Sequence, residues 1–198
     1  MPISMVSFPT AIRSSRDSGT VPSAAGPAPA SPRCGRCATM LDKFGYPTAE
    51  QVSSRFFPEA VLVKPKAILE CYEDIPCNPC VTSCPTGAIT IGPDINKQPV
   101  LDPDKCTGCA VCVGACPGLA IMVAQIKENR AWFKIPYEFL PHPAKNELWD
   151  AAGRDGTLIG VAKIEGIALA SKTKTAIVTV SIEKAQLLRF ATVVKKHA

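Results

Sequence analysis

The sequence predicts an α+β protein in which a small cysteine-rich module carries the chemistry. A Pro-rich N-terminal extension precedes it and a small β-rich C-terminal domain follows. Three observations lead there. Eight of the ten cysteines fall between residues 67 and 128. That stretch holds two copies of one pattern, offset by 32 residues. Apolar and β-branched runs separated by turn signals then fill the end of the chain.

Residues 1–38 form the first part, an arm ending in Cys34-Gly35-Arg36-Cys37. It is rich in Pro, Ser and Ala, with Pro22, Pro27, Pro29 and Pro32 close together and no apolar periodicity. Such a segment builds no core of its own and is expected to be disordered or PPII-like unless it rests against a partner subunit. Its Ser and Arg content also resembles a transit peptide. Residues 39–66 read as a connector. Within it, Thr48 with Gln51 three positions on forms a capping-box pattern that predicts a short helix. Residues 67–128 are the cysteine module and 129–198 the β-rich domain. There Pro136, Pro141 and Pro143 mark an irregular stretch before strand-like runs at 157–164, 175–182 and 187–194. Three or four strands, in a small sheet or barrel, are expected.

With 198 residues the chain can bury a real core, so cysteine is not needed as a substitute for packing. No run of 18 apolar residues occurs, because stretches such as 159–170 are broken by Lys163 and Glu165; no membrane span is expected. Without a secretory signal pattern, a reducing, cytoplasmic setting is expected, where cysteines serve as ligands rather than disulfides. The net charge of +5 is unevenly placed, +4 over residues 1–66, −4 over 67–128 and +5 over 129–198. Its Lys and Arg are dispersed rather than clustered, so nucleic acid is not an expected partner.

The second copy of the repeat, Cys106 to Pro117, reads C-x2-C-x2-C-x3-C-P. In the first copy, Cys77, Cys80, Cys84 and Pro85 match Cys109, Cys112, Cys116 and Pro117, and Ala88-Ile89 matches Ala120-Ile121. Closely spaced thiolates with small residues between them, such as Gly108, Ala110 and Gly114, suit an iron–sulfur cluster, since backbone N–H groups can approach the sulfurs. Zinc knuckles use C-x2-C pairs but do not require three evenly spaced cysteines followed by a fourth and a proline, twice over. The spacing therefore favours iron–sulfur over zinc.

Residues 68–125 resemble the bacterial two-cluster 4Fe-4S ferredoxins. The resemblance implies crossed ligation. Cys84, Cys106, Cys109 and Cys112 would hold one cluster, called cluster two here. Cys77, Cys80 and Cys116 would hold cluster one, whose fourth ligand is displaced: Asp74 stands where the pattern has cysteine, and Cys71 lies three residues earlier. Cys71 as ligand restores four thiolates; Asp74 as an oxygen ligand and a three-iron cluster with an open corner are the competing readings. Cys34 and Cys37 remain over, as free thiols, a metal site completed elsewhere or a disulfide.

No G-x-G-x-x-G, P-loop or G-x-S-x-G motif is present, so catalysis is expected on another chain. Segments 68–80, 136–141 and 156–180 are similar to the small iron–sulfur subunits of FAD-dependent dehydrogenases of the proline, hydroxyproline, sarcosine and opine type. That resemblance implies an electron-transfer subunit in a heteromeric complex. A partner subunit would carry FAD or FMN and oxidise an amino acid or amine, and a further 2Fe-2S subunit could join it. Two other classes are a free-standing soluble dicluster ferredoxin and a zinc-dependent nucleic-acid module.

Overall fold

In the computed structural model, which describes residues 43–170 and 173–197, the chain enters through two short helices, α1 (Ala49–Ser53) and α2 (Glu59–Leu62). The capping box forms as expected: Thr48 Oγ1 accepts from the Gln51 N–H at 3.2 Å, and Gln51 Oε1 accepts from the Thr48 N–H at 2.8 Å. The arm and its Cys34 and Cys37 lie outside the described residues.

The 32-residue repeat is visible in the backbone. Copy one runs through β1 (Lys66–Leu69), α3 (Pro79–Thr82) and β2 (Ile89–Thr90). Copy two runs through β3 (Val100–Leu101), α4 (Val111–Ala115) and β4, Ile121–Lys127. The strands pair across the copies: Leu69 of β1 faces Ile121 of β4, and the equivalent Leu101 of β3 faces Ile89 of β2. Glu70 N–H donates to the Ala120 carbonyl and Asp102 N–H to the Ala88 carbonyl, both at 2.8 Å. Two exchanged halves give the module an approximate twofold relation, and each half's loop is clamped by the other half's strand.

After β4 the chain turns at Glu128 and Asn129, both at positive φ as a two-residue hairpin of the I′ kind requires. It continues through β5 (Arg130–Tyr137), β6 (Leu148–Gly153), β7 (Leu158–Leu169), β8 (Ala176–Glu183) and β9 (Phe190–Lys196). One antiparallel sheet results, in the order β1-β4-β5-β8-β7-β6-β9. Positions 128 and 129, where the sequence reading divides module from C-terminal domain, are thus a hairpin turn. The sheet takes strands from both sides of it, and the described residues share one compact unit.

Two strands lie where the sequence reading has an irregular stretch. In β5, Ala131, Phe133, Ile135 and Tyr137 alternate inward as a half-buried strand demands, and Pro136 obscures the pattern. Proline is tolerated because β4 pairs with β5 only as far as Lys134, so the missing N–H at Pro136 breaks no bond to β4. Register shifts in β6 and β7 bend the sheet. It curls far enough for Phe133 of β5 to meet Phe190 of β9, four strands away, with ring centroids 4.7 Å apart.

β1 and β4 are buried on both faces and form the wall between two cores. Ile68, Met122 and Ala124 face the interior of the curled sheet. Ala67, Leu69, Ile121 and Val123 face the cysteines, packing with Cys80, Cys112, Ala110 and Val113. Apolar burial at roughly 25 cal/mol per Å² therefore fixes the cysteine module and the sheet together through the same two strands.

Candidate metal centres

The eight described cysteines are free thiols; Cys80 and Cys112 are buried and Cys109 is exposed. The structure sorts them into two sets around two cavities. One cavity is lined by Cys84, Cys106, Cys109 and Cys112, with Ala67, Ile89, Leu101 and Val123 as apolar walls. The other is lined by Cys71, Cys77, Cys80 and Cys116, with Ile75, Pro79, Pro99 and Ile121. Each set takes three thiols from one copy and one from the other, the crossed arrangement that the resemblance implies.

Local backbone chemistry places these thiols. Asn78 and Pro79 open α3, where a proline costs nothing because its missing N–H would have no helical partner. The second loop turns through Gly108 at φ +66° and Ala110 at φ +68° before entering α4. Gly108 is required on two counts, since a Cβ there would also stand 2.5 Å from Pro65 Cβ and 2.6 Å from the Pro65 carbonyl oxygen. At the far end, a Cβ on Gly114 would lie 2.7 Å from Ala170 Cβ, and Thr173 donates to the Gly114 carbonyl at 2.7 Å. Ala170 and Thr173 thereby sit against α4.

Backbone N–H groups point at sulfur in matched pairs. Ala88 N–H donates to Cys84 Sγ at 3.3 Å and Ala120 N–H to Cys116 Sγ at 3.4 Å, the same bond in each copy. Ala67 of β1 adds one to Cys106 Sγ at 3.5 Å. Such donors favour sulfur in its charged form. Burial pushes the Cys112 thiol up to about 12, helped by the neighbouring Cys109, Cys106 and Cys84. Burial likewise raises Cys71, with Cys116 and Cys77 adding to it, and Cys80, with Cys116 and then Cys77 adding. At Cys84 burial pulls upward, but the Thr86 hydroxyl and N–H groups of the loop outweigh it and leave the thiol lowered.

Asp74, the alternative oxygen ligand, is not among the residues lining the cavity of Cys71, Cys77, Cys80 and Cys116. Its carboxylate meets Lys97 Nζ at 3.0 Å, and the cavity lining includes Cys71 and Glu73 in its place. Cys71 is held by its own carbonyl, which accepts from Arg55 at 3.1 Å, while Arg55 also bonds to Gln98 Oε1 and lies over the Tyr72 ring. The donor chemistry fits iron–sulfur clusters: four thiols per cavity, apolar walls and N–H groups aimed at sulfur. Among the described residues no three His, Cys, Asp or Glu side chains close on a point that would hold a single ion. Sequence reasoning misses the residues that brace the loops from a distance, Arg55, Lys66 and Lys134. Lys66 alone leaves a trace, as a charged residue opening the buried run Ala67-Ile68-Leu69.

Comparison with known proteins agrees with this geometry. Residues 75–120 match the family described as 4Fe-4S dicluster domain. A sulfite dehydrogenase subunit of Allochromatium vinosum is 47% identical over 62 residues, which are 31% of this chain and 24% of that protein. Ferredoxin-type protein NapF of Haemophilus influenzae is 37% identical over 57 residues, 28% of this chain and 32% of that protein. The match thus spans about a quarter to a third of these curated relatives. No solved structure matches significantly. No helix among the described residues is long and apolar enough to cross a membrane. Residues 75–120 thus contain a ferredoxin-type 4Fe-4S domain, and these likenesses support an iron–sulfur electron-transfer role.

Proposed function

We propose that this chain is the electron-transfer subunit of a heteromeric dehydrogenase. Cluster one would be held by Cys71, Cys77, Cys80 and Cys116, and cluster two by Cys84, Cys106, Cys109 and Cys112. The observation that carries the reading is the convergence of four thiols, drawn from both halves of the repeat, around each of two cavities. Bound clusters supply one-electron transfer, and with every iron held by thiolate no open metal position remains for a substrate. The chain's own residues do the rest. Ala67, Ala88 and Ala120 offer N–H groups to sulfur, and Leu69, Ile89, Leu101, Ile121 and Val123 exclude water. In a metal-free chain the raised thiols of Cys71, Cys80 and Cys112 hold their protons, so cluster insertion releases them.

The electron donor in this reading is a flavin subunit that oxidises the C–N bond of an amino acid or amine. Support comes from the resemblance of segments 68–80, 136–141 and 156–180 and from the large sheet appended to a module that needs little more than 60 residues. The likeness to a sulfite dehydrogenase subunit favours a second reading, in which the same relay serves a partner that oxidises sulfite. The likeness to a ferredoxin-type protein keeps the free-standing dicluster ferredoxin as a third. Anaerobic purification from the native host, with iron, acid-labile sulfide and flavin counted on the intact assembly, separates them. The proposal requires about eight irons per chain and a stoichiometric flavoprotein; a chain that purifies alone refutes the subunit assignment. A flavin-free partner active on sulfite establishes the second reading instead.

A further inference from the structure

Two lysines outside the cysteine motifs reach the loop that carries three thiols of the second set. Lys66, the first residue of β1, is buried, and its Nζ donates to the Pro103 carbonyl at 2.5 Å and the Cys106 carbonyl at 2.8 Å. Lys134, on β5, donates from Nζ to the Gly108 carbonyl at 3.0 Å. β1 and β5 flank β4, so the two ammonium groups approach the same loop from the strands on either side of the wall strand. Among the described residues neither lysine forms an ion pair.

A buried ammonium without a carboxylate is costly unless another negative charge compensates it. Here the residues lining the adjacent cavity are all uncharged. The cavity of the other set differs. Glu73 and Lys97 line it, Lys97 is paired with Asp74, and the Arg55 guanidinium braces Cys71, so charges of both signs surround it. A cluster held by the second set would bring negative charge to the loop that the buried Lys66 and the part-buried Lys134 both hold. With its four thiolates an oxidised 4Fe-4S cluster counts about −2, and one electron from a donor takes it to about −3 with no proton required.

We propose that Lys66 and Lys134 set the reduction potential of the site formed by Cys84, Cys106, Cys109 and Cys112, raising it by stabilising the more negative, reduced form. The inference rests on the reading that this site holds a 4Fe-4S cluster. Its consequence is directional: an electron entering the chain settles on this site in preference to where it would rest without the two cations. Water screens little in an apolar cavity, so one unit charge there matters.

The test uses the full chain purified anaerobically, as wild type, Lys66→Met, Lys134→Met and Lys66→Arg. Iron and sulfide are counted, and both midpoints are read by EPR-monitored redox titration. Each Met variant is expected to keep its iron and to show one midpoint lowered by on the order of tenfold in the reduction equilibrium, ~59 mV for a one-electron couple. The other midpoint stays, and Lys66→Arg stays near wild type. Lys134 is only part-buried, so its variant carries the test if Lys66→Met fails to fold. Full iron with unmoved midpoints, equal movement of both, or an Arg variant that behaves like Met overturns the inference alone. Wild-type protein without clusters overturns the underlying reading and this inference with it.

Discussion

Replacing Gly108 by alanine puts a methyl group where the structure has no room for it. Two costs add. At φ +66° an L-residue sits in the left-handed region, for about 1–2 kcal/mol. The new Cβ would also lie 2.5 Å from Pro65 Cβ, 2.6 Å from its carbonyl oxygen and 2.8 Å from its carbonyl carbon, contacts that only a backbone shift relieves. Overpacking of that kind costs about 1–3 kcal/mol. Gly87 provides the control, because it has φ +61° and nothing within 4 Å of a built Cβ. Gly87→Ala bears the conformational cost alone, and the loss of unfolded-state freedom is common to both substitutions and cancels in the comparison. For a unit of this size, at roughly 2–4 °C per kcal/mol, the expected fall in Tm is roughly 4–20 °C for Gly108→Ala and roughly 2–8 °C for Gly87→Ala, with Gly108→Ala the larger of the two. Thermal unfolding of the anaerobically purified chain, followed by circular dichroism, reads both. A Gly108→Ala fall no larger than that of Gly87→Ala refutes the claim that Pro65 and the cysteine loop are in contact.

Arg154 and Glu70 join the β6–β7 turn to the end of β1, with side chains about nine-tenths buried and Arg154 Nε donating to Glu70 Oε2 at 2.6 Å. Arg154→Ala strands a buried carboxylate and is expected to cost about 3–5 kcal/mol in urea unfolding; a loss below about 1 kcal/mol contradicts the burial argument. Phe133→Ala removes a fully buried ring that closes β5 on β9 and is expected to cost about 3–5 kcal/mol. If native-state hydrogen exchange shows β9 amides as protected as in wild type, the curled sheet does not depend on that contact.

The cysteine module was legible because its information is local. The spacing of Cys106, Cys109, Cys112 and Cys116 lies within one short stretch, and the offset of 32 residues carries Cys109, Cys112 and Cys116 to Cys77, Cys80 and Cys84, leaving Asp74 opposite Cys106. The capping box at Thr48 was equally local. What escaped was nonlocal or masked. Pro136 hid β5, although the alternation of Ala131, Phe133, Ile135 and Tyr137 was present, because a proline normally demotes a strand. The shared sheet escaped because β1 and β4 present apolar residues on both faces, and a pattern without alternation does not say what lies on either side. Lys66 braces a loop 40 residues away and Arg55 a carbonyl 16 residues away, pairings that no periodicity announces. The place of Cys71 was readable only as a choice. The structure sets the Cys71 thiol at the cavity and the Asp74 carboxylate against Lys97.

The fourth ligand of cluster one can be read directly from the iron content. Iron and acid-labile sulfide counted per chain, with quantitative EPR of the reduced protein, compare wild type, Cys71→Ser and Asp74→Ala, all purified anaerobically. Two crossed thiolate sets predict about eight irons in wild type and in Asp74→Ala, and loss of one four-iron cluster in Cys71→Ser with the other signal intact. An unchanged iron content in Cys71→Ser, or a cluster lost from Asp74→Ala instead, contradicts the assignment of Cys71 as the fourth ligand.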